Sequence, residues 1–223
     1  MTDETPAPDL ESAKKVVHDV QRDGITADEV DSFYDKWYSS YDQDMATCGY
    51  GHRQAIAAAT IEKEIPNKSA RILDVAAGTG LLAEELKKVG YTNIDALDAN
   101  AMMLEVAKKK GLYQKFICAF LGPSELDIER DSYDLVTVLG GFAEGHLKED
   151  CLEELIRIVK PGGCIMTIIP EVTLEKSKYL RNLEPKMQEL HDQKKWKWVG
   201  RNKIGNYIPD GSGNGIVFIF RVL

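Results

Sequence analysis

From residue 71 to residue 169, short apolar runs alternate with longer stretches whose apolar positions recur every three or four residues. RILDVA (71–76), NIDALD (93–98), KFICAF (115–120), YDLVTVL (133–139) and CIMTII (164–169) read as strands, and LLAEELKKVG, AMMLEVAKKKG and KEDCLEELIRIVK read as helices between them. The strands lack a strict two-residue alternation, as expected where helices cover both faces of a parallel sheet. Ahead of this series the chain is helical in pattern. Val16, Val17 and Val20 give a short helix ending near Gly24, and Thr26-Ala27-Asp28-Glu29 is a capping box for a helix with Val30, Phe33, Tyr34 and Trp37 on one face. The alanine-rich GHRQAIAAATIEKEIP predicts a further helix closed by Pro66. Beyond the series, a helix presenting Leu180, Leu183, Met187 and Leu190 leads to WKWVGRNKIGNYI and GIVFIFRVL, which flank the turn-rich PDGSGN and predict an antiparallel hairpin.

These elements predict an α/β fold: a Rossmann-like, doubly wound, seven-stranded and mostly parallel sheet with an antiparallel C-terminal hairpin strand and an N-terminal helical cover. The polar stretch 1–10 is expected to be a flexible tail, 11–66 the helical cover and 67–223 the Rossmann-like core of one domain, with no repeat or linker marking a second. A chain of 223 residues with 43% hydrophobic content can bury such a core. Its net charge of −8 works against a broad polyanion-binding surface, so no nucleic-acid partner is expected. No apolar run approaches the roughly 18 residues that span a bilayer, and the N-terminus lacks a signal-peptide profile, which gives the expectation of a cytoplasmic protein without membrane contact. Cys48, Cys118, Cys151 and Cys164 are scattered and form no metal-ligand pattern with the four histidines, so reduced thiols and no metal are expected.

The chemistry concentrates in LDVAAGTG (73–80). In a doubly wound sheet the first strand-to-helix turn lies at the switch point where ligands bind, and Gly78 and Gly80 occupy that turn. Glycine admits positive φ and lets a ligand reach the backbone, while the following helix turns its free amides to the same place. Asp98, closing the second strand, can accept two hydrogen bonds from ribose hydroxyls. Gly78-Thr79-Gly80-Leu81-Leu82-Ala83 also fits the dinucleotide pattern, so an NAD(P)-dependent oxidoreductase stands as an alternative. Asp74 weighs against it. A buried carboxylate there repels a pyrophosphate by several kcal/mol, on a rough Coulomb estimate, and welcomes a ligand with an ammonium group; its plainer role is a loop cap.

Asp74-Val75-Ala76-Ala77-Gly78-Thr79-Gly80 resembles the first motif of the class I S-adenosylmethionine-dependent methyltransferases, with Ala76 in place of the first glycine. That departure adds one methyl group near the methionine end. Asp98-Ala99-Asn100-Ala101-Met102-Met103-Leu104 resembles the second motif, which implies ribose contact by Asp98 and adenine packing by Ala99 and Met103, although Met103 fits ordinary core packing equally. FYDKWYSSYDQD, KKGLYQ, FAEGHL and the terminal hairpin look more narrowly like the Williams–Beuren-region methyltransferase-like proteins, over a span from about residue 30 to the C-terminus. The resemblance implies S-adenosyl-L-methionine as cofactor, with Tyr41, Asp74, Ala76, Gly78, Thr79, Gly80, Phe120, Leu121 and Leu139 around it. Phe120-Leu121-Gly122 stands where many relatives carry an acid facing adenine.

The reaction so implied is in-line methyl transfer to a small molecule or a protein side chain, and a non-catalytic cofactor-binding module is the alternative of another class. Glu144 and His146, after the fourth strand, are the candidate bases, beside the plainer reading of a solvated glutamate and a satisfied histidine. Tyr41, with Trp37 and Tyr38, lies in the segment resembling the cover of related enzymes, where it can bond the cofactor's carboxylate or simply pack. Lys194, Lys195, Lys197, Arg201 and Lys203 beside Trp196 and Trp198 suggest a single-strand nucleic-acid platform, but residues 196 and 198 share one face of a strand, which packing explains. The acceptor and the oligomeric state are not set by these residues; a monomer is the working expectation.

Overall fold

The computed structural model describes residues 9–208 and 213–223. Helices α1 (Leu10–Asp19), α2 (Ala27–Trp37), α3 (Tyr41–Thr47) and α4 (Gly51–Glu64) precede the alternating series β1 (Ile72–Val75), α5 (Leu81–Lys88), β2 (Ile94–Asp98), α6 (Ala101–Lys110), β3 (Phe116–Cys118), β4 (Tyr133–Leu139), α7 (Leu152–Ile158) and β5 (Val159–Pro170). Then follow α8 (Glu171–Lys176), α9 (Leu183–Asp192), β6 (Trp196–Ile204) and β7 (Gly215–Val222). The sheet has seven strands in the order β3-β2-β1-β4-β5-β7-β6, parallel except for β7, which is antiparallel to both its neighbours. The expected fold class is therefore the observed one.

Strand order reverses at β1, which pairs with β2 on one side and with β4 on the other. Neither following connection crosses the gap between the carboxyl ends of β1 and β4, and a cleft opens there. The sheet separates two apolar layers. Leu73, Val136 and Val138 face the layer under α7 and α9, whereas Ile72, Leu135 and Ile168 face the one built with α4, α5 and α6. Asp74 and Thr137, side by side in register, are polar residues on the second face.

The cover forms a third, smaller cluster around Val20, Ile25, Val30 and Trp37. The capping box at Thr26 is present in both directions. Asp9 and Leu10, expected in the loose tail, instead cap and begin α1, with Asp9 accepting from the Ser12 N–H at 2.9 Å. Residues 1–8 of that tail, and Pro209 to Ser212 of the expected hairpin turn, lie outside the described residues. The helix expected over 148–160 is shorter. A 3-10 turn (Glu149–Cys151) precedes α7, and Val159 already pairs with Tyr133, so β5 begins five residues ahead of the expected strand and carries an irregularity before Cys164.

At the far edge, packing accounts for the tryptophans: the Trp196 ring stacks on Phe220 at 4.0 Å, and its indole N–H donates to Met187 O. Three of the nearby cations form ion pairs, Arg201 with Glu184, Lys203 with Glu171 and Lys195 with Glu153.

Candidate active site

The cleft divides into two connected spaces. The larger, about 780 Å³ including its open mouth, runs from Asp98, Ala99 and Met103 past Leu139 and Gly140 to Tyr34 and His146. The smaller, about 340 Å³, lies over Asp74 and the glycine turn. Tyr41, Ala76, Gly78 and Leu139 line both. Of the expected cofactor residues, Phe120 and Leu121 reach the larger space and Thr79 the smaller, while Gly80 lines neither and serves as the N-cap of α5.

The turn is built from left-handed backbone. Ala76 (φ 55), Gly78 (φ 55) and Gly80 (φ 91) all have positive φ. For Ala76 this corrects the sequence-based view of a merely added methyl group: alanine in this conformation costs about 1 kcal/mol that glycine does not. Its methyl also dictates a neighbour. A Cβ on Gly141 would lie 2.8 Å from Val138 and 2.9 Å from Ala76, so Gly141→Ala is expected to lower stability by about 1–3 kcal/mol in urea unfolding. Part of that loss should return when Ala76→Gly is added; strict additivity would show that the two methyl groups do not compete.

Asp98 closes β2 beside the glycine turn. Its Oδ2 accepts from the Gly78 N–H and its Oδ1 from the Asn100 N–H, each at 2.8 Å, which leaves lone pairs on both oxygens for two hydroxyls. Burial raises its pKa, and the two backbone donors oppose that shift. Asp98→Ala is expected to weaken S-adenosylhomocysteine binding by about 1–3 kcal/mol in calorimetry, and an affinity near that of the wild type would count against ribose contact.

Asp74 is 1% exposed and accepts a hydrogen bond from the Tyr113 hydroxyl at 2.7 Å. Burial pushes its pKa up to about 7, against the lowering effect of that hydroxyl, and the charge of Asp98 adds to the rise.

The cover closes the cleft through side chains. The Asn100 Oδ1 caps α6 at Met103, and its Nδ2 donates to Asp31 and Asp35 of α2. Thr79 donates to Asp42 of α3, which pairs with Lys110, itself bound to Glu84. Trp37 is buried and donates to Asp44, so it packs within the cover. Tyr38 lines neither space.

The two candidate bases separate. Glu144 lines neither space, and its Oε1 accepts from the Gly24 N–H at 3.2 Å, tying down the α1–α2 connection, so its expected place at the reacting centre is not what the fold gives it. His146 does reach the cleft. Its Nδ1 lies 2.7 Å from the Glu144 carbonyl, which only an N–H can satisfy, so Nε2 carries the lone pair and accepts from the Tyr34 hydroxyl at 3.1 Å. Burial lowers the His146 pKa and raises that of Tyr34 well above its usual value, so both are neutral near pH 7.

Sequence reasoning did not assign Tyr34, Asn100, Tyr113 or Asp42 to the site. Asn100 had a legible signal, an asparagine just before an apolar helical run. The other three depend on contacts between residues 37 to 112 positions apart.

Comparison with known proteins agrees with this geometry. The model of the ubiE/COQ5 methyltransferase family matches residues 22–198. Methyltransferase-like protein 27 of Homo sapiens is 36% identical over 167 residues, which are 74% of this chain and 66% of that one. Demethylmenaquinone methyltransferase of Clavibacter sepedonicus is 29% identical over 171 residues, 73% of this chain and 69% of that one. The match thus spans about two thirds of the length of these relatives. A TehB-like SAM-dependent methyltransferase from Corynebacterium glutamicum has the same fold, with a TM-score of 0.59 over 85% of this chain and 98% of that one at 16% identity. A dinucleotide oxidoreductase is no longer the alternative, and the cofactor of this methyltransferase family is S-adenosylmethionine. On its sequence from residue 22 to residue 198, the chain belongs to the ubiE/COQ5 methyltransferase family.

Proposed function

We propose that this chain transfers the methyl group of S-adenosylmethionine to a nucleophilic atom of a small molecule at the Tyr34–His146 end of the larger space. The observation that carries the reading is a pair of carboxylates, Asp74 and Asp98, at the two sides of one glycine turn under an aromatic roof. Two nearby anions in a low dielectric repel each other unless a cation and hydroxyl donors come between them. The cofactor fits these donors and acceptors. Asp74 Oδ1 has no hydrogen-bond partner among the described residues, Asp98 has spare lone pairs, and a Cβ at Gly140 would meet nothing within 4 Å.

When bound, the cofactor supplies a methyl group on a sulfonium that is already activated for displacement. The residues of the chain then bind, orient and exclude water. Asp98 accepts from the ribose, Asp74 faces the ammonium group, and Ala99, Met103, Phe120 and Leu121 pack the adenine. Tyr41, Ala76, Gly78 and Leu139 span the passage to the methionine end. His146 takes the acceptor's proton on Nε2, once Tyr34 yields that position.

Asp31 and Asp98 are on the wall of the larger space and, among the described residues, no lysine or arginine lines it, which favours a neutral or cationic acceptor. Related proteins carry names for quinone chemistry, such as ubiquinone/menaquinone biosynthesis C-methyltransferase, which makes a phenol or quinol the first acceptor to try. No helix among the described residues is long and apolar enough to cross a membrane, and all four cysteines are free, which supports action in the cytoplasm.

The test is formation of S-adenosylhomocysteine, read by mass spectrometry, with a panel of phenols, quinols, aromatic amines and peptides. Turnover on a small acceptor is the expected result. Turnover on peptides alone would reassign the acceptor to a protein side chain, and tight cofactor binding with no turnover would leave a binding module.

A further inference from the structure

We propose that Tyr113 is a positioning residue for the cofactor's ammonium group: its hydroxyl fixes one oxygen of Asp74, so that the other faces the cleft. The proposal rests on the assignment of Asp74 to that group and stands whatever acceptor is methylated. Among the described residues Asp74 is the only carboxylate lining the smaller space, so its orientation decides where a cation sits there.

Tyr113 lies in the loop after α6, and its ring is held on several sides. It is buried, packs edge-on against Phe116 at 5.6 Å, and lies close enough under the turn that a Cβ on Gly80 would be 3.0 Å from its Cε2. The glycine at position 80 therefore makes room for the tyrosine as well as for the backbone. From this seat the hydroxyl reaches Asp74 Oδ2 at 2.7 Å. Burial and the adjacent carboxylate raise its pKa well above the ordinary tyrosine value, so it remains a donor across the physiological range.

Few other charged or titratable groups face Asp74. Asp98 at the end of β2 repels it, Tyr41 of α3 lies across the smaller space, and Thr137 of β4 stands beside it without a charge. Asp42 of α3 is neutralised by Lys110 of α6, which also holds Glu84 of α5. Arg53 of α4 lies over the rings of Tyr50 and Tyr207. The Tyr113 hydroxyl is thus the only direct hydrogen-bond donor to Asp74 among the described residues, and its loss should favour the neutral acid.

The experiment is the pH dependence of S-adenosylhomocysteine affinity, measured by calorimetry on the full chain. For the wild type an acid limb near neutrality is expected, since the anion binds the ammonium group, and affinity falls as Asp74 is protonated. Tyr113→Phe keeps the ring and should move that limb to higher pH, with binding at pH 7 about tenfold weaker, the worth of one charge-assisted hydrogen bond. Asp74→Asn should remove the limb. A Tyr113→Phe loss that is equal at every pH would make the residue merely structural and overturn the proposal. An acid limb that survives in Asp74→Asn would instead overturn the assignment of Asp74. A Tyr113→Phe affinity within about twofold of the wild type at every pH would overturn the proposal as well.

Discussion

Asp74→Asn is expected to make the cofactor-free protein more stable at pH 8 and to remove most of its affinity for S-adenosylhomocysteine. The folded carboxyl is held at about 7 by burial, against 3.8 for a free aspartate. The sign follows from proton counts. Below the unfolded value both states carry the proton, and the residue contributes nothing. Between that value and about 7 only the folded state keeps it, so stability falls as pH rises. Above about 7 the full cost of the buried anion is present, on the order of 4 kcal/mol at 1.4 kcal/mol per pKa unit.

Asparagine removes that cost, keeps the size of the side chain and still offers an oxygen to the Tyr113 hydroxyl. Urea unfolding at pH 8 should therefore show a gain of about 2–4 kcal/mol that shrinks towards zero at pH 4. A gain equal at both pH values would belong to packing, and no gain at pH 8 would mean that Asp74 carries no buried charge. A gain confined to high pH would mark Asp74 as a residue kept at the expense of the fold.

The contrast between what the sequence revealed and what it concealed has a physical basis at this site. The sheet was legible because burial on two faces forces continuous apolar strands such as YDLVTVL, which forms β4 over the expected residues. The glycine turn and Asp98 were legible because both sit at fixed places relative to the first two strands. The alanine at position 76 was seen, but its left-handed backbone was not, since a one-letter code shows a methyl group and not a φ angle. The cover was the least readable part. Its helices announce themselves by a capping box and an apolar face, yet nothing local indicates that Tyr34 meets His146 or that Asp42 meets Thr79. Glu144 and His146 look equivalent in FAEGHL, and only the path of the backbone sends one to Gly24 and the other to the cleft.

These separate contacts give the cover a common function. Asn100 ties α2 to the end of β2, Thr79 ties α3 to the glycine turn, and Glu144 ties the α1–α2 connection to the segment after β4. Each tie joins the cover to a different strand end of the core, so the roof over the cleft is fixed at three points. Tyr34 and Tyr41 are carried on helices held in this way, and both rings line the larger space.

His146→Ala is expected to lower kcat by about a hundredfold or more with an acceptor that must lose a proton, while S-adenosylhomocysteine affinity changes by less than about threefold. The prediction rests on the tautomer: the imidazole N–H is committed to the Glu144 carbonyl, which leaves the lone pair on Nε2. Burial holds its pKa below the usual 6.5, so the neutral form is present throughout the neutral range and kcat should be level there, falling only in acid. Tyr34→Phe separates the base from its gate. Without the hydroxyl that donates to Nε2, the neutral imidazole loses a stabilising partner and its pKa rises, so the acid limb of kcat should move to higher pH while the rate on its plateau is kept or increased. A His146→Ala enzyme that turns over within threefold of the wild type would show that the acceptor sheds its proton elsewhere. A Tyr34→Phe enzyme with an unmoved limb and a plateau reduced a hundredfold would transfer the base's role to the tyrosine.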